Sequence, residues 1–402
     1  MMYYSQVVIP VKKQKALPDV FRVEISPILQ DFTFQMQKSI GKICRLYKLP
    51  LEEINAAFKM DGAGLLEARV YSFEPYVSLL CLAVTYGDIR FMKDLEDSFS
   101  GQYVEGNGFL EKVHVRVFKD VVLKLTKKYD LELFSEDIKN DSCSFLLRDA
   151  YVINVFLSNE PYKDPGIIKK IVWDLQKCQE PCGGILNHEE ECIRFVLSAM
   201  REEDSSYRWG CCITPQTAGF VFTDRGLDNE SKERIIEEVT GYIFFLLLVL
   251  QQYYGAFYFS ERINGIDKQK SKKKRKKELD QIVLDILEFR ANNVIDYHGT
   301  SKWNNIQSIM GSLAQVMGLN SIINGLNDKV TYLNERQSII ASRNMDVFTN
   351  FVKFFGLVSL FGTIYSIVEV FVNGIEKADI ISIGIWIGLL AVLGIMFWRK
   401  RY

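Results

Sequence analysis

Histidine is scarce in this chain of 402 residues: only His114, His188 and His298 are present. Few groups are therefore available for histidine-based acid–base or nucleophilic catalysis. The sequence also lacks a nucleophile elbow, a P-loop and a dinucleotide-binding glycine fingerprint. The opening segment, "MMYYSQVVIPVKKQKALP", has no apolar signal-peptide core, so the N-terminus is expected to stay in the cytoplasm. In that setting the eight cysteines read as free thiols rather than a disulfide framework. Two further absences are local. Proline is missing from Lys302 to Val372, and charge is missing from Ile380 to Trp398.

What is present divides the chain in two. Length alone predicts about two or three domains. The formal charge is −1, but eight of the ten residues from Lys268 to Lys277 are basic, and setting those eight aside leaves −9. The overall balance therefore gives no ground for direct binding to nucleic acid. Residues 1–230 alternate short β-branched or aromatic runs ("SQVVIPV", "FRVEIS", "KVHVRVF", "AYVINVFLS", "AGFVFTD") with runs of helical spacing ("LLEARVYSFEPYVSLLCLAVTYG", "VVLKLTKKYDLELF", "PGIIKKIVWDLQKC"). This mixture predicts an α+β (or α/β) domain with its own core. From about Ser231 the pattern is helical to the end. The expected helices are Lys232–Arg262, Lys274–Asp296 and a third running from Lys302 to Val372, N-capped by Ser301. Residues 231–350 then form a helical hairpin and stalk, and 351–402 a membrane hairpin.

Ile380–Trp398 has nineteen uncharged residues, and Phe354–Val372 carries one acid, Glu369. Both reach the ~20 residues needed to cross the hydrocarbon. Arg336, Arg343 and Lys353 precede the first span; Arg399, Lys400 and Arg401 follow the second. The excess of basic flanks puts both ends in the cytoplasm and the short "NGIEKAD" loop outside. Val239–Phe259, with twenty-one uncharged residues, competes as a third span. It is read instead as a buried helix with Gln251 and Gln252 paired inside, because a span there would require export of the N-terminal domain.

One face of the third helix is polar all the way into the membrane. It meets Asn320, Asn324, Asn327, Thr331, Asn334, Ser338, Ser342, Met345, Thr349, Val352, Gly356, Ser359, Thr363 and Ser366, then reaches Glu369. Only Met345, Val352 and Gly356 among the first fourteen are not Asn, Ser or Thr. A neighbouring face repeats Leu319, Leu326, Leu333, Ile340, Val347, Phe354 and Phe361 at heptad spacing, as helix packing requires. Lipid cannot satisfy a polar stripe, so it faces protein or water. Several copies around an axis would line a pore with neutral oxygen ligands, with an apolar constriction at Met345–Gly356 and a Glu369 ring at the mouth. The competing reading is a tight helix interface of small residues.

The order of parts, and the segment "LNERQSIIASRNMDVFTNFVKFFGLVSLFGTIYSI" in particular, resembles the stalk-to-span junction of the CorA-like cation transporters. That resemblance implies a bacterial inner (plasma) membrane protein assembled as a homo-oligomer, in that family a pentamer. The family's Gly-Met-Asn hallmark is missing: Ser366, Ile367 and Val368 follow Ile364-Tyr365. Similar hallmark-lacking relatives accompany type III CRISPR antiviral systems, where a nucleotide second messenger of the S-adenosylmethionine–AMP type is the implied effector. Three functions follow as expectations. The first is a channel gated by such a small nucleotide, with no other cofactor. The second is a magnesium or divalent-cation transporter regulated by its ion. The third, an enzyme tethered by the hairpin, is opposed by the missing catalytic constellation.

In the soluble part, "SSYRWGCCITPQTAG" is the candidate ligand site. Tyr207 and Trp209 would stack a base, Arg208 would pair with a phosphate, and Gln216 and Thr217 would add polar contacts. The bland alternative is an ordinary strand and turn. Cys178, Cys182, His188 and Cys192 have zinc-ligand chemistry, although their spacing matches no standard site. Cys211 and Cys212 read as a buried strand. The basic run reads as a solvated loop or as a contact for anionic headgroups.

Overall fold

The computed structural model describes residues 2–13, 17–23, 44–51, 63–73, 76–86, 121–134, 150–176, 193–223, 232–266, 272–294, 304–373 and 388. The chain divides into two compact units, Met1–Leu326 and Asn327–Tyr402. The first is an α+β unit built on a ten-stranded sheet. Its strands are β1 (Met2–Lys13), β2 (Arg22–Val23), β3 (Cys44–Leu49), β4 (Ala63–Phe73), β5 (Val77–Tyr86), β6 (Leu131–Leu133), β7 (Tyr151–Leu157), β8 (Arg194–Leu197), β9 (Trp209–Ile213) and β10 (Thr217–Phe222). The spatial order is β2-β3-β4-β5-β1-β7-β10-β9-β8, with β6 also on β1. All pairings are antiparallel except β7–β10. A parallel pair needs a crossover, and helix α1 (Pro165–Gln176) lies within that connection.

Both faces of the sheet are covered. On one, Val7, Ile9, Val11, Leu80 and Leu82 pack with α1 and a helix over 121–128. On the other, Tyr4, Val8, Leu79 and Cys81 pack with α2 (Lys232–Asn264) and α4 (Asn304–Val316). The two sets alternate along each strand, as the pleat dictates. Helix α3 (Lys272–Asn293) packs on α2, and Arg262 pairs with Asp285 at 2.8 Å. The core of the α+β unit thus continues past residue 230, because the sheet's second face has no other cover among the described residues.

Several sequence expectations hold: β1, β7, β10, α1, α2 and α3 lie where their patterns put them, and Cys211-Cys212 is a buried strand. Leu65–Gly87 was expected to be helical, but Ala63–Phe73 and Val77–Tyr86 pair as the antiparallel strands β4 and β5. "KVHVRVF" lies outside the described residues. Helix α2 is long and apolar enough to cross a membrane, yet 78% of its most apolar window is buried inside the protein. Its amides are used there: Gln251 Nε2 donates to the Asn293 carbonyl at 2.6 Å and Gln252 Nε2 to the Leu248 carbonyl at 2.9 Å. The third helix is not continuous from Lys302. It breaks at Gly318 into α4 and α5 (Leu319–Asn373).

Two devices hold the α+β unit tightly. Asn154, fully buried in β7, accepts from Ser5 Oγ at 2.5 Å and donates to the Leu175 carbonyl of α1 at 3.0 Å. Gly219 lets α1 approach β10 closely, since a Cβ there would lie 2.4 Å from the Val172 carbonyl oxygen. A β-bulge between Leu65 and Glu67 turns Glu67 into the interior. Its carboxylate meets Arg69 at 2.8 Å, while Tyr4 Oη, Glu67 Oε1 and Arg69 Nε have no hydrogen-bond partner. Burial also pushes the Tyr4 and Tyr71 phenols well above their ordinary values, which keeps them neutral. A buried pair broken on one side leaves an uncompensated charge. Arg69→Met alone is therefore expected to cost about 3–5 kcal/mol in chemical unfolding. Adding Glu67→Gln to it recovers most of that loss.

Candidate functional site

The site begins where α5 leaves the core. Leu319 is buried with α2 and α4, and the helix then runs 55 residues without interruption, about 80 Å at 1.5 Å per residue. No proline breaks it, and every interior backbone group is bonded along the axis. The heptad face changes character along this length. Leu319, Leu326 and Leu333 are buried, whereas Val347, Phe354 and Phe361 are exposed, Phe361 to 67%. Met345–Tyr365 is long and apolar enough to cross a membrane, and none of its most apolar window is buried. So a segment of ~30 Å, the thickness of a bilayer's hydrocarbon, carries exposed Phe, Leu, Ile and Val over most of its surface, with Phe351, Phe355, Ser359 and Gly362 half-buried along one stripe.

The polar stripe lies on this same helix. Thr331, Met345, Thr349, Val352, Gly356 and Thr363 are exposed and Ser359 is half-buried. Higher up, Asn320 and Asn324 are exposed and Asn327 is half-buried. Thr363 Oγ1 donates to the Ser359 carbonyl at 2.9 Å. That bond satisfies the hydroxyl hydrogen within the helix and leaves the oxygen's lone pairs facing outward. Asn334, Ser338, Ser366 and Glu369 lie on α5, but their side chains fall outside the described residues. The second expected span, Ile380–Trp398, lies outside them too, apart from Gly388.

The candidate ligand residues come apart in the structure. Trp209 is 2% exposed, and its ring packs against Tyr242 with centroids 5.4 Å apart, so the core has taken the surface a base would need. Tyr207 is half-buried on the opposite side, with its N–H on the Tyr162 carbonyl at 2.9 Å. Arg208 is exposed beside a turn in which the Ser206 hydroxyl and N–H bind the Asp204 carboxylate and hold it below its usual value. Gln216 and Thr217 sit at the far end of the β9–β10 hairpin. Thr217 Oγ1 donates to Gln176 Oε1 at 2.9 Å, and both the Thr214 and Thr217 carbonyls accept from Tyr151 Oη. About 13 Å of strand separates the two ends of β9. These five residues therefore do not converge on one ligand. Cys178, Cys182, His188 and Cys192 lie outside the described residues, and no cluster of three metal-binding side chains occurs among those described.

A cavity that the sequence did not announce opens at the α4–α5 junction. It has a volume of about 900 Å³ and is lined by β8, by one side of α4 and by the first turn of α5. Gly318 sits in the left-handed region, φ +64°, and α4 and the upper part of α5 meet there at 60°. Its N–H donates to the Gln315 carbonyl at 3.1 Å, closing α4. A Cβ at Gly318 would touch nothing within 4 Å, so only backbone preference demands glycine. Gly318→Ala is expected to lower stability by about 1 kcal/mol through the positive φ alone, read as a fall in the thermal midpoint. Gly325→Ala, in open space within α5, should hold or raise it.

Comparison with protein-family models finds no match to this sequence, and no curated protein and no solved structure matches it.

Proposed function

We propose that the chain is the subunit of a homo-oligomeric cation channel in the bacterial inner membrane, opened by a small ligand bound to its α+β unit. One observation carries this reading: α5 starts in the α+β core and continues, unbroken, into a bare apolar span that bears a polar stripe. An apolar helix exposed over most of its surface needs lipid or other copies of itself, and a hydroxyl stripe needs protein or water. A ring of copies answers both needs at once. The heptad face at Val347, Phe354 and Phe361 packs between helices or against lipid, and the Thr349–Ser359–Thr363 face lines the axis. Neutral oxygens there replace part of a cation's hydration shell, and Val352 narrows the pore by dewetting. The resemblance to CorA-like transporters supports the pentameric plan. The missing Gly-Met-Asn removes that family's selectivity element and favours a channel of altered selectivity over magnesium uptake. The branch attached to type III CRISPR defence supplies the ligand class, a nucleotide second messenger.

Ligand binding acts by favouring one packing of a two-state helix over another, since a ligand shifts an equilibrium only through differential affinity. Two substitutions test the face assignment in reconstituted vesicles. Val352→Asn puts amides at the constriction, keeps it wet and is expected to raise flux without ligand. Phe354→Asn places an unsatisfied amide in the apolar seam, at about 1–3 kcal/mol per subunit, and is expected to damage assembly. If Val352→Asn breaks the oligomer while Phe354→Asn opens it, the inward face is wrong. If neither variant nor the parent conducts, the channel reading fails.

A further inference from the structure

The open edge of the sheet at β8 is independent of the channel reading. We infer that the groove between β8 and α4 docks an extended, uncharged peptide segment of a partner protein, which adds to β8 as a further strand of the sheet.

The backbone of β8 sets the mode of binding. β8 is the last strand on its side of the sheet. Its pairing with β9 decides which of its backbone groups are used. Ser198 N–H donates to the Trp209 carbonyl at 3.0 Å. Bonded residues alternate along an antiparallel ladder. Val196, opposite Cys211, therefore bonds to β9, whereas Phe195 and Leu197 turn their N–H and C=O groups to the open edge. Strand β9 agrees. Thr214 N–H donates to the Thr217 carbonyl and Thr223 N–H to the Arg208 carbonyl. By the same alternation Gly210 and Cys212 bond to β10, which leaves Cys211 for β8. The next carbonyls along the edge are closed off. That of Ile193 accepts from Arg194 Nη1 at 2.8 Å, and that of Ala199 from Ser198 Oγ at 3.1 Å. The outward groups of Phe195 and Leu197 have no partner among the described residues. Two such N–H and C=O pairs, about 7 Å apart, match the spacing of another strand.

The groove beside that edge sets the length and chemistry of the segment. The cavity of about 900 Å³ borders Phe195, Val196 and Leu197 on one side. Helix α4 forms the opposite wall with Asn304, Gln307, Ser308, Gly311 and Gln315, which recur on one helix face. An inserted strand has two hydrogen-bonding edges, and β8 satisfies one of them. The amides of Asn304, Gln307 and Gln315 both donate and accept, so they satisfy the other. Arg194 Nε donates to Gln315 Oε1 at 3.1 Å and ties this wall to the edge strand. Ser308 and Gly311 are small and leave room for a backbone to approach. From Asn304 to Gln315 the wall runs about 17 Å, the length of about five extended residues. The described lining carries no charged side chain to pair with a charge on the segment, so an uncharged one docks at lower desolvation cost. Strand addition of this kind takes its affinity from main-chain bonds and its specificity from alternate side chains.

The test uses the full-length protein in detergent micelles. The probe is a phage-displayed library of random seven-residue peptides, panned on the parent protein with Ser308→Trp as the counter-selection. Ser308 lies on the groove wall and is exposed, so tryptophan there fills the groove at little cost to folding. The strongest binder is then synthesised with each backbone nitrogen methylated in turn. Selected peptides are expected to be uncharged over their central residues. Methylation should weaken binding with a period of two residues, tenfold or more where the N–H faces β8 and less where it faces the α4 amides. Ser308→Trp should weaken binding tenfold or more, with oligomer size and thermal midpoint unchanged. Leu197→Pro deletes one outward N–H, which an edge strand tolerates, and should weaken binding severalfold. The inference is overturned if no peptide is selected, if the selected sequences are charged at their centre, or if the methyl scan lacks the two-residue period. Binding to Ser308→Trp as tight as to the parent overturns it too. A smaller oligomer in Ser308→Trp, with no peptide selected, makes the occupant a second copy of this chain and overturns the partner assignment.

Discussion

The structure turns on one constraint, that a polypeptide entering lipid must satisfy its own backbone hydrogen bonds. Helix α5 meets it by never stopping. Its first residue, Leu319, is locked into the core with α2 and α4, and the next proline-free turns carry the same heptad face onward. That face is buried at Leu326 and Leu333 and bare at Val347, Phe354 and Phe361. One repeat therefore passes from a buried stretch to a bare one, and no cap or turn marks the change.

The contrast with α2 shows why apolar length alone does not make a span. Both helices are long and apolar enough to cross a membrane. The α+β sheet, however, has two apolar faces, and α1 with the 121–128 helix covers only one of them. Helix α2 closes the other, with Phe244, Leu247 and Leu250 fully buried. Its glutamines find carbonyl partners on α3 and one turn back on α2 itself. A free sheet face competes with lipid for any apolar helix, and here the sheet wins for α2.

The cavity at Gly318 and the stripe on α5 give the gating idea its mechanical content. An αL glycine costs an L side chain its preferred backbone but costs glycine little, so the 60° junction is a natural place for a hinge. Hydroxyls on the span need no water to stay satisfied, as Thr363 shows by bonding back to Ser359. In the channel proposed above, their outward lone pairs are what a passing cation would use.

Much of the fold was legible in the residues themselves. Apolar runs bounded by turn residues marked β1, β7 and β10. The 3.6-residue period marked α1, and apolar length marked a span at Phe354–Val372, which overlaps the apolar segment Met345–Tyr365. These are local properties of the chain. The β4–β5 hairpin was misread because Val70–Phe73 and Val77–Val84 are buried on both sheet faces, so the alternation that distinguishes a strand from a helix is lost. Trp209 looked like a stacking ring, since a sequence cannot tell an aromatic that faces a ligand from one that faces Tyr242. No local signal sets Gly318 apart from the other glycines between Lys302 and Val372; its positive φ belongs to the turn between α4, packed on the sheet, and α5. Arg208 and Thr217, close in the chain, were set apart by the hairpin, while Phe195 and Asn320, far apart in the chain, were brought to one cavity. Local chemistry determined which segments became strands, helices and span. Only long-range packing decided which side chains meet, because proximity in space follows from which apolar faces cover one another.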